Sequence, residues 1–180
     1  MNPLRIIRRY YNPGSESYSF LIEHSRSVTK KALEVARRFR NLNPDLKFIE
    51  EAAMLHDIGI CKTHAPDIGC NGDKPYVCHG YLGGQLLRKE GLPRHALVCE
   101  RHIGTGLTKE EINARKLPLP KRDMVPVSTE EKIICFADKF FSKTPEFLTK
   151  EKPIQLIKQQ LSRFGKDHVR RFEELQELFG

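Results

Sequence analysis

Four side chains of this sequence carry the donor atoms to hold one divalent cation: His24, His56, Asp57 and Asp138. Two imidazoles and two carboxylates make a mixed nitrogen and oxygen set, which suits iron, manganese, zinc, nickel or cobalt. The spacing of apolar residues turns each of them inward. Val28, Ala32, Val35 and Phe39 recur every three or four residues, and one turn further back the same stripe reaches His24. Ile49, Ala52, Ala53 and His56 share a face of a second helix, expected from residue 44 to residue 58, and Met54, Leu55 and Ile58 make its other side apolar too. Gly59 is expected to end that helix in a left-handed turn. Ser128 and Glu131 are spaced as a capping box, after which Ile134, Ala137, Asp138 and Phe141 repeat at helical spacing. Enclosing an unpaired carboxylate costs several kcal/mol or forces its pKa upward, and a metal ion is the partner that satisfies several such groups at once.

The remaining elements follow from the same signals. Residues 59 to 77 hold Pro66, Gly69, Asn71-Gly72 and Pro75 and read as a loop. Short helices are expected over 78 to 89 and 93 to 102, stopped by Gly91 with Pro93 and by Gly104. Thr108 and Glu111 form a capping box for one brief helix in the proline-rich stretch from 104 to 127. Two amphipathic helices close the sequence over 153 to 163 and 166 to 179, the last with Val169, Phe172, Leu175 and Phe179 on one face as core or, in the second instance, a dimer surface. No strand pattern longer than four or five residues and no repeat is present. The fold class is all-α: one compact domain over residues 1 to 180, a bundle of about six to eight helices, with its core near 18 to 145 and C-terminal helices over 146 to 180.

Composition narrows the function. With 39% hydrophobic and 30% charged residues among 180, the chain belongs to the globular class, and no apolar run is long enough for a membrane helix. The N-terminus has arginines but no apolar segment of the secretory type, so the expected compartment is the cytoplasm. A net charge of +8 attracts anions, which fits a phosphorylated small molecule or nucleotide as substrate. RNA is a second anionic partner, although no RNA-binding motif supports it. Cys61, Cys70 and Cys78 crowd one segment with His64, and a small zinc site or disulfide there is weighed against ordinary free thiols, the favoured reading; with Cys99 and Cys135 the total is odd and contains no C-x-x-C pair. His95 and His168 stand beside charged residues and are assigned to surface faces without function.

The ordered set His24, then His56-Asp57 within Leu-His-Asp-Ile-Gly, then Asp138 within Ala-Asp-Lys resembles the H…HD…D signature of the HD superfamily of metal-dependent phosphohydrolases, over roughly residues 18 to 145. His79, opening one helix, and His102, closing the next, look like the additional histidines by which HD-GYP phosphodiesterases and HD-type diadenosine tetraphosphatases bind a second metal, with the aspartate of the HD pair, here Asp57, bridging the ions. The adjacent histidines and the Gly-Tyr-Pro of the HD-GYP group are absent, and the order of elements is closer to the tetraphosphatase type. The resemblance implies one or two divalent ions and hydrolysis of a phosphate ester or nucleotide by metal-activated water. It also leaves a second class open, a metal-containing regulatory module that binds nucleotide or RNA with little turnover. Beside Asp57, the candidates for contacting phosphate oxygens are Lys62 or His64 after the HD pair, Arg101 beside His102, and Lys139 beside Asp138. A monomer or homodimer is expected.

Overall fold

The computed structural model describes residues 1–180. It contains nine α-helices and one two-stranded sheet: α1 (Pro3–Ile7), α2 (Glu16–Arg38), α3 (Leu46–Leu55), β1 (His64–Ala65), β2 (Cys70–Asn71), α4 (His79–Lys89), α5 (Pro93–Arg101), α6 (Lys109–Ala114), α7 (Thr129–Lys139), α8 (Ile154–Ser162) and α9 (Lys166–Phe179). The fold is all-α, as the periodicity predicts. No helix is long and apolar enough to cross a membrane.

Local chemistry sets the helix ends. Asn2, Ser15, Asp45, Thr108 and Ser128 each cap a helix by accepting from a backbone N–H of its first turn. At α6 the Thr108–Glu111 capping box closes in both directions. At α7 it does not: the Glu131 carboxylate turns away to the Val127 N–H and Arg101. Helix α3 is shorter than its apolar run suggests, starting after Asp45 and ending at Leu55. Asp57 then leaves helical geometry at φ −106° and ψ 10°, and Ile58–Lys62 forms a 3₁₀ turn. Gly59 lies inside that turn, so a left-handed helix stop is not its role. A Cβ there would come within 2.1 Å of the His79 carbonyl oxygen and 2.3 Å of the Gly83 nitrogen. The missing side chain lets α4 lie directly on the turn that follows His56-Asp57.

The segment from 59 to 77 is more ordered than a plain loop, with 3₁₀ turns around a hairpin that pairs His64 with Asn71 and Ala65 with Cys70. Three apolar clusters hold the bundle. The largest joins α2, α3, α7, α8 and α9, and Phe172, Leu175 and Phe179 of the last helix are buried in it, so that stripe is core. A second packs Ile7 and Tyr11 against Leu21, Leu55, Ile58 and Leu87. A third, smaller one is built by Leu107, Ile112, Leu119 and Met124 with Cys78 and folds the 104 to 127 segment over one side of the site. All five cysteines are free.

Candidate metal centre

Three of the histidines are presented by one device. Helix C-termini leave carbonyl oxygens without an intrahelical partner. His56 caps α3, His102 caps α5, and His79 caps the 3₁₀ turn Tyr76–Cys78. Each Nδ1–H donates to the carbonyl three residues back: His56 to Ala53 at 2.7 Å, His79 to Tyr76 at 2.6 Å and His102 to Cys99 at 2.7 Å. That bond fixes the ring and, in the neutral imidazole, leaves Nε2 as a bare lone pair. His24 comes from the middle of α2 and Asp138 from the last turn of α7.

The lone pairs converge on Asp57, whose side chain is 1% exposed. Its Oδ2 lies 3.2 Å from His24 Nε2 and 3.2 Å from His56 Nε2, and its Oδ1 lies 3.1 Å from His79 Nε2 and 3.3 Å from His102 Nε2. Asp138 Oδ1 is 3.0 Å from His24 and 3.4 Å from His56. Two groups of ligand atoms result, His24, His56, Asp57 and Asp138 on one side and Asp57, His79 and His102 on the other, each within 4.8 Å of one another. Asp57 belongs to both, one oxygen turned to each.

A cation fits this arrangement on hydrogen-bond grounds. Carboxylate oxygens and unprotonated Nε2 atoms are all acceptors, and acceptors facing acceptors repel in a site that excludes water. His79 Nε2 and His102 Nε2 stand 3.1 Å apart with a single proton at most to share. His24 Nδ1, His56 Nε2 and both Asp57 oxygens are buried without a hydrogen-bond partner. A divalent ion would be held by His24, His56, Asp57 and Asp138, and a second by Asp57, His79 and His102.

Charges nearby bear on the same carboxylates. Burial opposes ionisation of Asp57, yet the Lys143 ammonium, 2.5 Å from Oδ2, and then His56 hold its pKa well below the usual range. Asp138 is held low against its own burial by Lys139, 2.7 Å from Oδ2, and then by His24 and His56. Burial works against charging His56 also, but the Asp57 and Asp138 carboxylates push it up to about 10, so its Nε2 carries a proton until a cation takes that place. Burial takes His102 down to about 4.

Asp57, His79, His102 and Asp138 open onto a cavity of about 530 Å³. Lys139, Lys143 and Lys152 line it beside them. Of the cations expected near phosphate, Lys139 is therefore at the cavity, where it also donates to the His102 carbonyl at 3.0 Å. Arg101 is not: it pairs with Glu131 at 2.8 Å and lies outside the lining. Lys62 and His64 are exposed on the hairpin side and likewise do not reach the cavity. Lys143 and Lys152 were missed from sequence, since both stand in the irregular segment after α7, where no periodicity assigns a direction. His95 and His168 are buried, not surface residues. His95 packs on Phe48, and His168 lines the cavity. No third ligand joins the cysteines of the 61 to 78 segment, so the structure builds no zinc site there.

The HD domain family model matches residues 21–142, two thirds of the chain, and spans every one of the converging ligands. The chain belongs to the HD domain family. An uncharacterized protein of Methanocaldococcus jannaschii is 36% identical to it over 152 residues, 82% of this chain and 79% of that one. Two proteins named tRNA (cytidine(56)-2'-O)-methyltransferase are also similar, that of Thermoplasma volcanium at 34% identity over 73% of this chain and that of Picrophilus torridus at 37% over 68%. The HD chain spans only 34% and 31% of the length of those two methyltransferases. No solved structure matches the chain significantly.

Proposed function

We propose that this HD domain is a metal-dependent phosphohydrolase acting on a phosphate ester or nucleotide. The observation that carries the reading is Asp57, which turns one oxygen to each of two histidine-rich ligand sets at the wall of a lysine-lined cavity. Bound there, divalent ions lower the pKa of water toward neutrality and neutralise phosphoryl oxygens. The chain itself supplies the rest. The imidazoles, tethered at helix ends, hold the ligand geometry before any ion binds. Lys143 and Lys152, whose ammonium groups stand on flexible four-carbon stems, serve phosphoryl oxygens in the cavity, and Lys139 keeps the Asp138 carboxylate ionised and oriented. Leu107, Ile157 and Leu161 exclude water from the far side, which strengthens each of these interactions.

The test is turnover. Purified chain stripped of metal, then loaded separately with manganese, iron, cobalt, nickel or zinc, is assayed against phosphomonoesters, nucleotides and dinucleoside polyphosphates. Phosphate release that depends on the added metal and vanishes in Asp57→Ala supports the reading. The names of the two methyltransferase relatives favour a second one, an HD module that binds RNA with little turnover. No release with any metal, together with tight tRNA binding by the same preparation, would establish that one instead.

A further inference from the structure

The HD family model stops at residue 142, yet part of the wall of the cavity beside the candidate metal centre comes from beyond it. Helix α9 packs on α7 and α8 packs on α9, and with the turn between them they contribute Ile157, Gln160, Leu161, Phe164 and His168 to the lining. The near end of the cavity is cationic and suited to phosphate; the far end is mostly apolar. Phe164 lines the cavity while 51% exposed, with the Arg115 guanidinium 5.6 Å from its ring centroid.

His168 adds an independent sign of a ligand. It is 1% exposed, and its Nδ1 accepts from the Thr105 backbone N–H at 3.3 Å and from Arg171 at 3.4 Å. Both partners are donors, so the ring proton of the neutral imidazole sits on Nε2. That Nε2 is buried with no hydrogen-bond partner; the nearest carboxylate oxygen, of Glu111, is 3.5 Å away. Gly104, at φ +58°, seats the ring, since a Cβ there would meet Nδ1 at 2.8 Å. Gln160 is held by Lys152, whose Nζ donates to its Oε1 at 3.2 Å, and this leaves the amide N–H₂ free to donate.

We infer that the α8–α9 hairpin is the base-reading wall of a nucleoside monophosphate site, with Phe164 and Leu161 covering the face of the base and His168 and Gln160 donating to its ring nitrogen or carbonyl acceptors. An apolar slab with two edge donors matches a nucleobase, and the lysines at the near end match its phosphate. A cavity of about 530 Å³ suits one nucleotide. This assignment rests on the proposal that the near end binds phosphate, and it adds the part of the substrate that the shared domain does not read.

The test is calorimetric titration of the full chain, kept metal-free with a chelator, with each of the four ribonucleoside 5'-monophosphates and with ribose 5-phosphate, which lacks only the base. At least one nucleotide is expected to bind tenfold or more tighter than the sugar phosphate. Phe164→Ala reduces that preference about three- to tenfold while leaving ribose phosphate affinity unchanged, and Gln160→Ala reduces the ratio of nucleotide to ribose phosphate affinity by a similar factor, since any change it makes at Lys152 acts on both ligands alike. His168→Leu does the same if its melting temperature is that of the wild type, and the two variants at less buried positions carry the test if it is not. Equal affinity for sugar phosphate and all four nucleotides overturns the inference, as does parallel loss of both ligands in the variants. Failure here with metal-dependent phosphate release intact leaves the hydrolase reading standing. Base-dependent binding without turnover under any metal leaves the pocket assignment standing and removes the hydrolase.

Discussion

Asp57 and Glu100 are both carboxylates withdrawn from water, and the fold treats them in opposite ways. The Glu100 side chain, 0% exposed, receives Arg88 on one oxygen and Arg122 on the other, which holds its pKa low against its burial. Both arginines extend toward solvent, so the ion pairs are complete within the protein. Asp57 instead faces four imidazole nitrogens, three of them on rings whose proton is committed to a backbone carbonyl, and one lysine. A buried charge with a closed set of partners is a structural joint. One that meets a single lysine among several ring nitrogens can also take a cation from outside the polypeptide, and that difference, more than burial itself, marks the candidate site.

The sharpest way to break the comparison is to remove each acid. Asp57→Ala is expected to abolish metal content and metal-dependent turnover, read by elemental analysis and phosphate release. It also removes the metal-dependent rise in melting temperature, which for wild type at a hundredfold excess over Kd corresponds to about 2.7 kcal/mol. Normal activity in that variant would end the case for the centre. Lys143→Met comes next, with a loss of about 10²-fold in kcat/KM and metal content retained. Glu100→Gln should lower stability by about 2 kcal/mol in a denaturant melt, with metal content unchanged. A loss of metal there would mean that the two acids are not separable in the way their partners suggest.

The smallest effect concerns His168. Burial, then Arg171, lowers its pKa to about 4, so the folded chain resists a proton that the unfolded chain accepts. Stability contributed by the neutral ring is therefore present above the unfolded value near 6.5 and is lost as pH falls toward 4, at no more than about 1.4 kcal/mol per pH unit. His168→Gln should flatten the acid limb of a melting temperature against pH curve. His102, also lowered to about 4, titrates in the same window and keeps the limb from vanishing.

The bundle and the converging candidate ligands were legible because each has a regular signal. His24 continues a stripe of helical spacing, His56 and Asp57 end an apolar run, and Asp138 follows one. His95 and His168 were misread as surface residues because Arg94 and Asp167 adjoin them. Neighbours in sequence point about 100° apart on a helix, so a charged neighbour says nothing about the next face. Arg101 stands away from the cavity for the same reason: next to His102 in sequence, it points elsewhere and meets Glu131. Lys143 and Lys152 bracket a segment with no helical period, pinned by the Lys152 N–H to the Phe140 carbonyl and the Ser142 N–H to the Phe147 carbonyl. Only the return of α8 and α9 decides where those lysines point.

The carbonyl tethers of His56, His79 and His102 have a kinetic consequence. Each ring can rotate away from the centre only by giving up its Nδ1–H bond to a main-chain oxygen. An ion held there would be released only as those three bonds broke, which predicts a residence time longer than that of the same imidazoles without a backbone partner.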